Sequence, residues 1–311
     1  MKKLLLNALS VLIYSSTLLA SHSNAKSSVA LAPGTEVFLY EIKRDINSGK
    51  TMLSLISNVS QAEGYDNQPS FSPDNQKLLY VSARDGKQMD IYEYDIASKK
   101  TRQLTQTPEN EFSPMLEANG KTFTAVREGG DPYQSVHRYP YPTSEQASRK
   151  SSWAVKSQTP IGYYAFAKDG KAVAWARWAN AIYIFEPDSP YATFAIGHAA
   201  PSKPLKIPAT DLFSFVHRQG NDELWIKSIE PASRAITPIA PVLKSNIDYA
   251  WTPHKELISA SDSQLYLYSG KEKNWNLWAD LSSDKIFNIS RLAISSDFQY
   301  IAVVAKVAAK Q

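Results

Sequence analysis

Residues 68–95 read QPSFSPDNQKLLYVSARDGKQMDIYEYD, and their turns decide the fold. An apolar strand ends at Ser72-Pro73-Asp74-Asn75-Gln76. A second, Leu78-Leu79-Tyr80-Val81, ends at Ser82-Ala83-Arg84-Asp85-Gly86, and a third follows at Asp90-Ile91-Tyr92. Pro73 presets φ for the first central position of a tight turn, and Asp74 and Asn75 tolerate the conformations that come after it. The stretch therefore reads as three antiparallel strands joined by two hairpins.

The pattern recurs. Asp74 in the first turn matches Asn119, Asp169 and Asp297, with degraded copies at Pro253-His254-Lys255 and Pro208-Ala209-Thr210-Asp211. In the third strand, Tyr92 matches His137, Tyr183, Trp225 and Tyr266, at steps of 45, 46, 42 and 41 residues. Phe38-Leu39-Tyr40 supplies a sixth third strand. Repeats at this period, each a few short strands, predict a β-propeller, here with six blades. The chain opens with a third and a fourth strand, 36–42 and 51–56, and closes with a first and a second, 289–294 and 300–304. The two ends are thus expected to share one blade, which closes the ring and removes free sheet edges. The other blades are placed at 66–107, 110–157, 160–197, 203–238 and 247–281. First strands carry a small residue (Ser70, Ala165, Ala250, Ala293, with Met115 the exception) and then a large one, Phe71, Leu116, Phe166, Trp251 or Ile294. The large residue is read as a knob between blades, and the small one as a packing requirement where inner strands converge.

A Ser-Pro-Asp-Gly-type turn, an apolar strand and Ser-x-Arg-Asp-Gly at the next hairpin resemble the TolB-like (WD40-like) β-propeller repeat. The resemblance runs through the repeats over essentially all of residues 26–311. It implies an exported protein with a binding role. Only residues 26–35 separate the expected cleavage site from the first strand, so the resemblance is to a propeller-only member and not to the translocation protein with its preceding α/β domain. The same repeat also serves as the non-catalytic propeller of some peptidases and as the scaffold of some carbohydrate-active enzymes, so fold alone does not assign function.

The N-terminus reads as a secretory signal peptide, residues 1–25. Lys2 and Lys3 precede a mostly apolar run from 4 to 19, and Ser23-Asn24-Ala25 offers small residues for cleavage before Lys26. Asn7, Ser10, Ser15, Ser16 and Thr17 interrupt that run, against a membrane anchor. The mature protein is expected to be a monomer in the periplasm or secreted, with no stable membrane insertion. The absence of cysteine excludes disulfides, a lipid-modified N-terminal cysteine and thiol catalysis. Removing Lys2 and Lys3 takes the formal charge from +4 to +2, too small for a nucleic-acid partner. The insert YPYPTSEQASRKSS, 139–152, is expected to be an exposed loop in the third blade.

The end of the second strand recurs as arginine, at Arg84, Arg127, Arg177 and Arg218, with Lys306 in the closing blade. One reading is a cationic face for an acidic partner. The other is structural, each arginine pairing with an acid such as Asp85, Glu128 or Asp222; the arginine is part of the repeat pattern itself, which favours this reading. Tyr133, Tyr139, Tyr141 and Trp178 are assigned to the same hairpins, and Tyr, Trp and Arg are the residues that anchor protein interfaces. Trp175, Tyr183, Trp225 and Tyr266 are expected to pack between blades. Histidines 137, 198, 217 and 254 share no metal-ligand spacing, and no cofactor is expected. Neither a nucleophile elbow nor a phosphate loop occurs. Asp66, Glu111 and Asp248 precede first strands and are expected to point into one channel mouth. The sequence thus favours a non-enzymatic module binding a protein or peptide through Arg84, Arg127, Arg177, Trp178, Arg218 and Tyr133. The alternative is a carbohydrate-active lyase or hydrolase at the channel mouth.

Overall fold

The computed structural model describes residues 34–44, 51–84, 88–130, 133–143, 147–189, 191–244 and 246–307. The expected signal peptide lies outside these residues, as do Asp85 and Gly86 of the decisive stretch. The described residues form six four-stranded antiparallel sheets, one per blade of a propeller. Blade 2 holds strands Asp66–Phe71, Lys77–Ser82, Asp90–Asp95 and Lys100–Gln103. Blades 3 to 6 begin with Asn110–Leu116, Ile161–Phe166, Leu205–Lys206 and Tyr249–Trp251. Blade 1 is assembled from both ends of the chain: Ile286–Ile294 and Tyr300–Val307 are its first two strands, and Glu36–Arg44 and Thr51–Asn58 its last two. Pairing runs from Glu36 opposite Ala305 to Glu41 opposite Tyr300.

Strand register lines the blades up residue by residue. Phe71, Leu116, Phe166, Lys206, Trp251 and Ile294 face Leu78, Phe123, Ala172, Phe213, Leu257 and Ile301. Five of the six are the large residues read as knobs, and each of the five packs into the apolar cluster of the preceding blade. Phe71 packs against the cluster that holds Val37, Leu39, Ala302 and Val304, Leu116 against that of Leu79, Val81 and Ile91, and Ile294 against that of Ile258 and Leu265. The core is therefore six inter-blade clusters arranged around an axis. In blade 5 the position is Lys206, and the first strand shrinks to two residues between Pro204 and Pro208, which remove ladder donors.

Four residues beyond the knob, the backbone turns left-handed in five blades: Asn75 (φ 59°), Gly120 (64°), Gly170 (86°), Lys255 (63°) and Phe298 (59°). The hairpin geometry is thus kept where the Asp-Gly signature is lost. Asn75 also ties blade 2 to blade 1, its amide donating to Ser296 Oγ at 2.9 Å while Ser296 N donates to Asn75 Oδ1 at 2.9 Å. The described part of the blade 3 insert after Tyr139 is exposed or half-buried, as expected, but it is anchored. Ser148 N donates to the Leu104 carbonyl at 2.8 Å and Gln106 N to the Ser148 carbonyl at 3.0 Å, pinning its described part to blade 2.

Candidate functional site

Three residues before each knob position stand Gln68, Ser113, Tyr163, Lys203, Asp248 and Arg291, and all six line one central cleft. Every blade thus gives one polar side chain to the axis, from a stretch where several first strands lose ladder register: between Asn67 and Ser70, Phe112 and Met115, Ile161 and Tyr163, and Phe287 and Arg291. Bulges re-aim side chains in this way; Gln68 and Ser113 sit at φ 56° and 53°. The cleft is narrow, with a cavity volume of about 30 Å³, and Pro69, Leu205, Ile247 and Leu292 are its apolar walls.

All of these residues but Lys203 take part in contacts around and across the axis. Ser113 N donates to Gln68 Oε1 at 2.6 Å, and Ser113 Oγ to the Gly162 carbonyl at 3.4 Å. Arg291 reaches from blade 1 to blade 4, the blade opposite in a ring of six, and donates to the Tyr163 hydroxyl. Its guanidinium lies 5.0 Å from the Tyr163 ring centre and pairs with Asp248 at 3.5 Å. Asp248 also accepts from Leu292 N at 2.6 Å. Burial still raises the Asp248 carboxyl to about 6, against the pull of Arg291. Burial lowers the Lys203 ammonium to about 8, against the pull of the Asp248 charge and with the Arg291 charge acting the same way as burial.

Asp66 and Glu111 do not join Asp248. They stand two residues earlier in register, opposite Ser82 and Arg127, and are buried within the blades. Glu111 accepts from the Thr107 and Tyr139 hydroxyls, and burial pushes its carboxyl up to about 8. One carboxylate rather than three lines the cleft among the described residues, which corrects the expectation of a shared acidic mouth.

The arginines end the second strands but do not share a register. Arg127 aligns with Ser82, Arg177 and Arg218 one residue later, and Arg84 one later still. Their surroundings differ accordingly. Arg84 donates to the Ser60 carbonyl at 3.1 Å and the Tyr80 hydroxyl at 2.8 Å, and lies over the Tyr92 ring at 4.6 Å. It also walls a cleft of about 320 Å³ beside Asp90, Gln103 and Thr107. Arg127 is tied to Glu109 in the connection between blades 2 and 3. Arg177 meets Glu128 of blade 3 at 3.4 Å, and Arg218 meets Asp222 within its own hairpin at 3.3 Å; both arginine side chains stay about half exposed (47% and 50%). Trp178 is 69% exposed and Tyr133 42%. Burial, followed by the Glu128 charge, raises the Tyr133 hydroxyl, so Tyr133, Glu128 and Arg177 form one continuous patch.

Tyr139 and Tyr141 do not belong to that patch. Both lie toward the far end of the blade 3 third strand; Tyr139 is fully buried and stacked on Phe123, and the Tyr141 ring lies beneath Arg102. His137 is buried against Trp153 and bonded to Ser151 at 2.8 Å, with burial lowering its imidazole to about 4. Among the described residues, no three His, Asp or Glu side chains converge as metal ligands.

No family profile and no curated protein matches the sequence. Among solved structures, a putative TolB from Agrobacterium tumefaciens superposes with a TM-score of 0.61 at 14% identity, over 89% of this chain and 100% of that one. A gluconolactonase from Xanthomonas campestris gives 0.58 at 9% identity, over 88% and 98%. At such identities the likeness establishes the architecture, a TolB-like six-bladed β-propeller, and leaves function to the residues.

Proposed function

We propose that this chain is an exported, non-enzymatic binding module that engages a protein or peptide partner on the face carrying Trp178, Tyr133, Arg177 and Arg218. The observation that carries the reading is Trp178, a large aromatic side chain 69% exposed beside a half-exposed arginine. Trp, Tyr and Arg are the side chains that anchor protein interfaces when they become desolvated, and here they are presented without a structural task that demands exposure. Arg84 and Arg127, bound to a backbone carbonyl and to Glu109, serve chiefly to hold blades together. Export rests on the Lys-Lys, apolar, Ser-Asn-Ala pattern of residues 2–25.

The lyase or hydrolase alternative draws less support. A glycosidase needs two carboxyls about 5–10 Å apart across the bond it cleaves, and Asp66 and Glu111 are buried away from Asp248's cleft.

Capture from a periplasmic extract with the mature protein as bait tests the proposal. A Trp178→Ala, Tyr133→Ala double variant should lose the captured partner with its melting temperature within about 2 °C of the parent, as surface truncations cost little. Unchanged capture by the double variant refutes the surface. Turnover of an oligosaccharide panel by the purified protein would establish the alternative.

A further inference from the structure

The axial cleft holds two cations, Lys203 and Arg291, and one carboxylate, Asp248. Arg291 is committed on two sides, to Asp248 and to the Tyr163 hydroxyl. Among the described residues, no hydrogen bond or ion pair reaches the Lys203 ammonium, whose three donors are otherwise available. Its countercharge is Asp248, which Arg291 already holds, so the ammonium is confined without a hydrogen-bonded partner of its own, and a protein keeps such a group where something else completes it. We propose that the central channel is a binding site for a small monocarboxylate, held by Lys203 Nζ with Arg291 and Tyr163 forming the inner wall.

Charge fixes the valence. One monoanion brings the cleft to two positive and two negative charges, whereas a dianion would overshoot and press against Asp248. A carboxylate matches the donors, since each oxygen accepts in directions that an ammonium and a guanidinium edge can supply together. Pro69, Leu205, Ile247 and Leu292 give a short alkyl chain an apolar wall. The Arg291–Tyr163 contact spans the axis, so the ligand is confined to a few carbons. The burial that lowers Lys203 to about 8 is the free-state counterpart of this arrangement, because an anion at Lys203 would restore its proton. This site does not depend on whether the outer face binds a partner.

Calorimetric titration of the mature protein with sodium acetate and sodium butyrate at pH 7, against sodium chloride and sodium phosphate at equal ionic strength, tests the proposal. Saturable binding of butyrate or acetate is expected, with at least tenfold preference over chloride and phosphate. Lys203→Met should weaken carboxylate binding at least tenfold while its ligand-free melting temperature stays level or rises. In the parent, affinity should fall at least tenfold between pH 7 and 9.5 as Lys203 deprotonates. Of the other titratable groups at the cleft, Asp248 is ionised throughout this range, Tyr65 keeps its proton to about 12, and the Arg291 guanidinium and the Tyr163 hydroxyl bonded to it complete the set. The proposal is overturned by an absence of saturable carboxylate heat, by chloride or phosphate binding as tightly, by Lys203→Met binding like the parent, or by pH-independent affinity in the parent.

Discussion

Glu111 carries the clearest pH signature at the scale of single residues. Its carboxyl is fully buried between Thr107 and Tyr139, and burial raises it from about 4.5 to about 8. The folded state therefore favours the protonated acid. Glu111's contribution to stability is full below the unfolded value and declines as pH rises through about 8. Asp66 and Asp248, each raised to about 6 by burial, act in the same sense at lower pH. Thermal stability should consequently fall between pH 5 and 8.5. At 1.36 kcal/mol for each pH unit, the Glu111 share is of the order of a few kcal/mol. Glu111→Gln, a neutral stand-in, should flatten the pH 6.5–8.5 part of the melting curve, and a variant that declines like the parent there would show that Glu111 is already ionised in the fold.

The arginines make a second contrast between residues. Arg84→Ala removes two hydrogen bonds and a stacking contact and should cost about 1–2 kcal/mol in urea unfolding. Arg218→Ala, whose partner Asp222 is 86% exposed, should cost less than about 0.5 kcal/mol. Equal losses would place both arginines in the same structural role. Sequence could not separate them. Each ends a second strand, but a slip of one or two residues decides whether the guanidinium meets a carbonyl, a carboxylate or water.

Between elements, the blades are fastened by a recurring polar contact inside the apolar clusters. Two residues before the knob, Tyr164 and Tyr249 reach into the preceding blade. The Tyr164 hydroxyl donates to Thr124 Oγ1 at 2.7 Å, and the Tyr249 hydroxyl to Ser214 Oγ at 2.8 Å. Thr124 and Ser214 hold the same register position in blades 3 and 5. Ser214 also accepts from Trp251 Nε1 at 2.8 Å. Ser214→Ala therefore strands two inward-facing donors and should cost about 2–4 kcal/mol, well above the loss of one ordinary hydrogen bond. Urea unfolding of Ser214→Ala within about 0.5 kcal/mol of the parent would mean that these donors find water. The knobs themselves were legible in sequence because a large residue recurs after a small one at Phe71, Phe166, Trp251 and Ile294. The blade 5 strand was not, since Pro204, Lys206 and Pro208 break the apolar pattern that marks its counterparts. The axial ring was hidden for a different reason. Gln68, Ser113, Tyr163, Lys203, Asp248 and Arg291 share a position and no chemistry, so sequence pointed to Asp248 alone and strand register reveals the other five.

The ring of blades as a whole depends on a sheet drawn from both ends of the chain. Glu36–Arg44 pairs with Tyr300–Val307, and this seam lies against the cluster in which Phe38 and Tyr40 meet Ile258, Leu265, Ile301 and Val303. A single core truncation here, such as Ile301→Ala, removes methylenes from a filled site and should cost about 2–5 kcal/mol while leaving a cooperative transition. Ending the chain at Lys285 is a different perturbation. It deletes two of the four strands of blade 1, bares the ladder edge of residues 36–41, uncovers the blade 6 face of the cluster, and removes Arg291 from the axis. Two open edges beside an apolar face form a template for pairing with other chains. The shortened protein should elute as aggregate in size exclusion and lose its near-ultraviolet circular dichroism, whereas Ile301→Ala should keep both the parent's elution volume and its near-ultraviolet signal. If the shortened chain remained monomeric with a melting transition like the parent's, the five remaining blades would be stable as an open arc, and the seam would not be what holds the propeller closed.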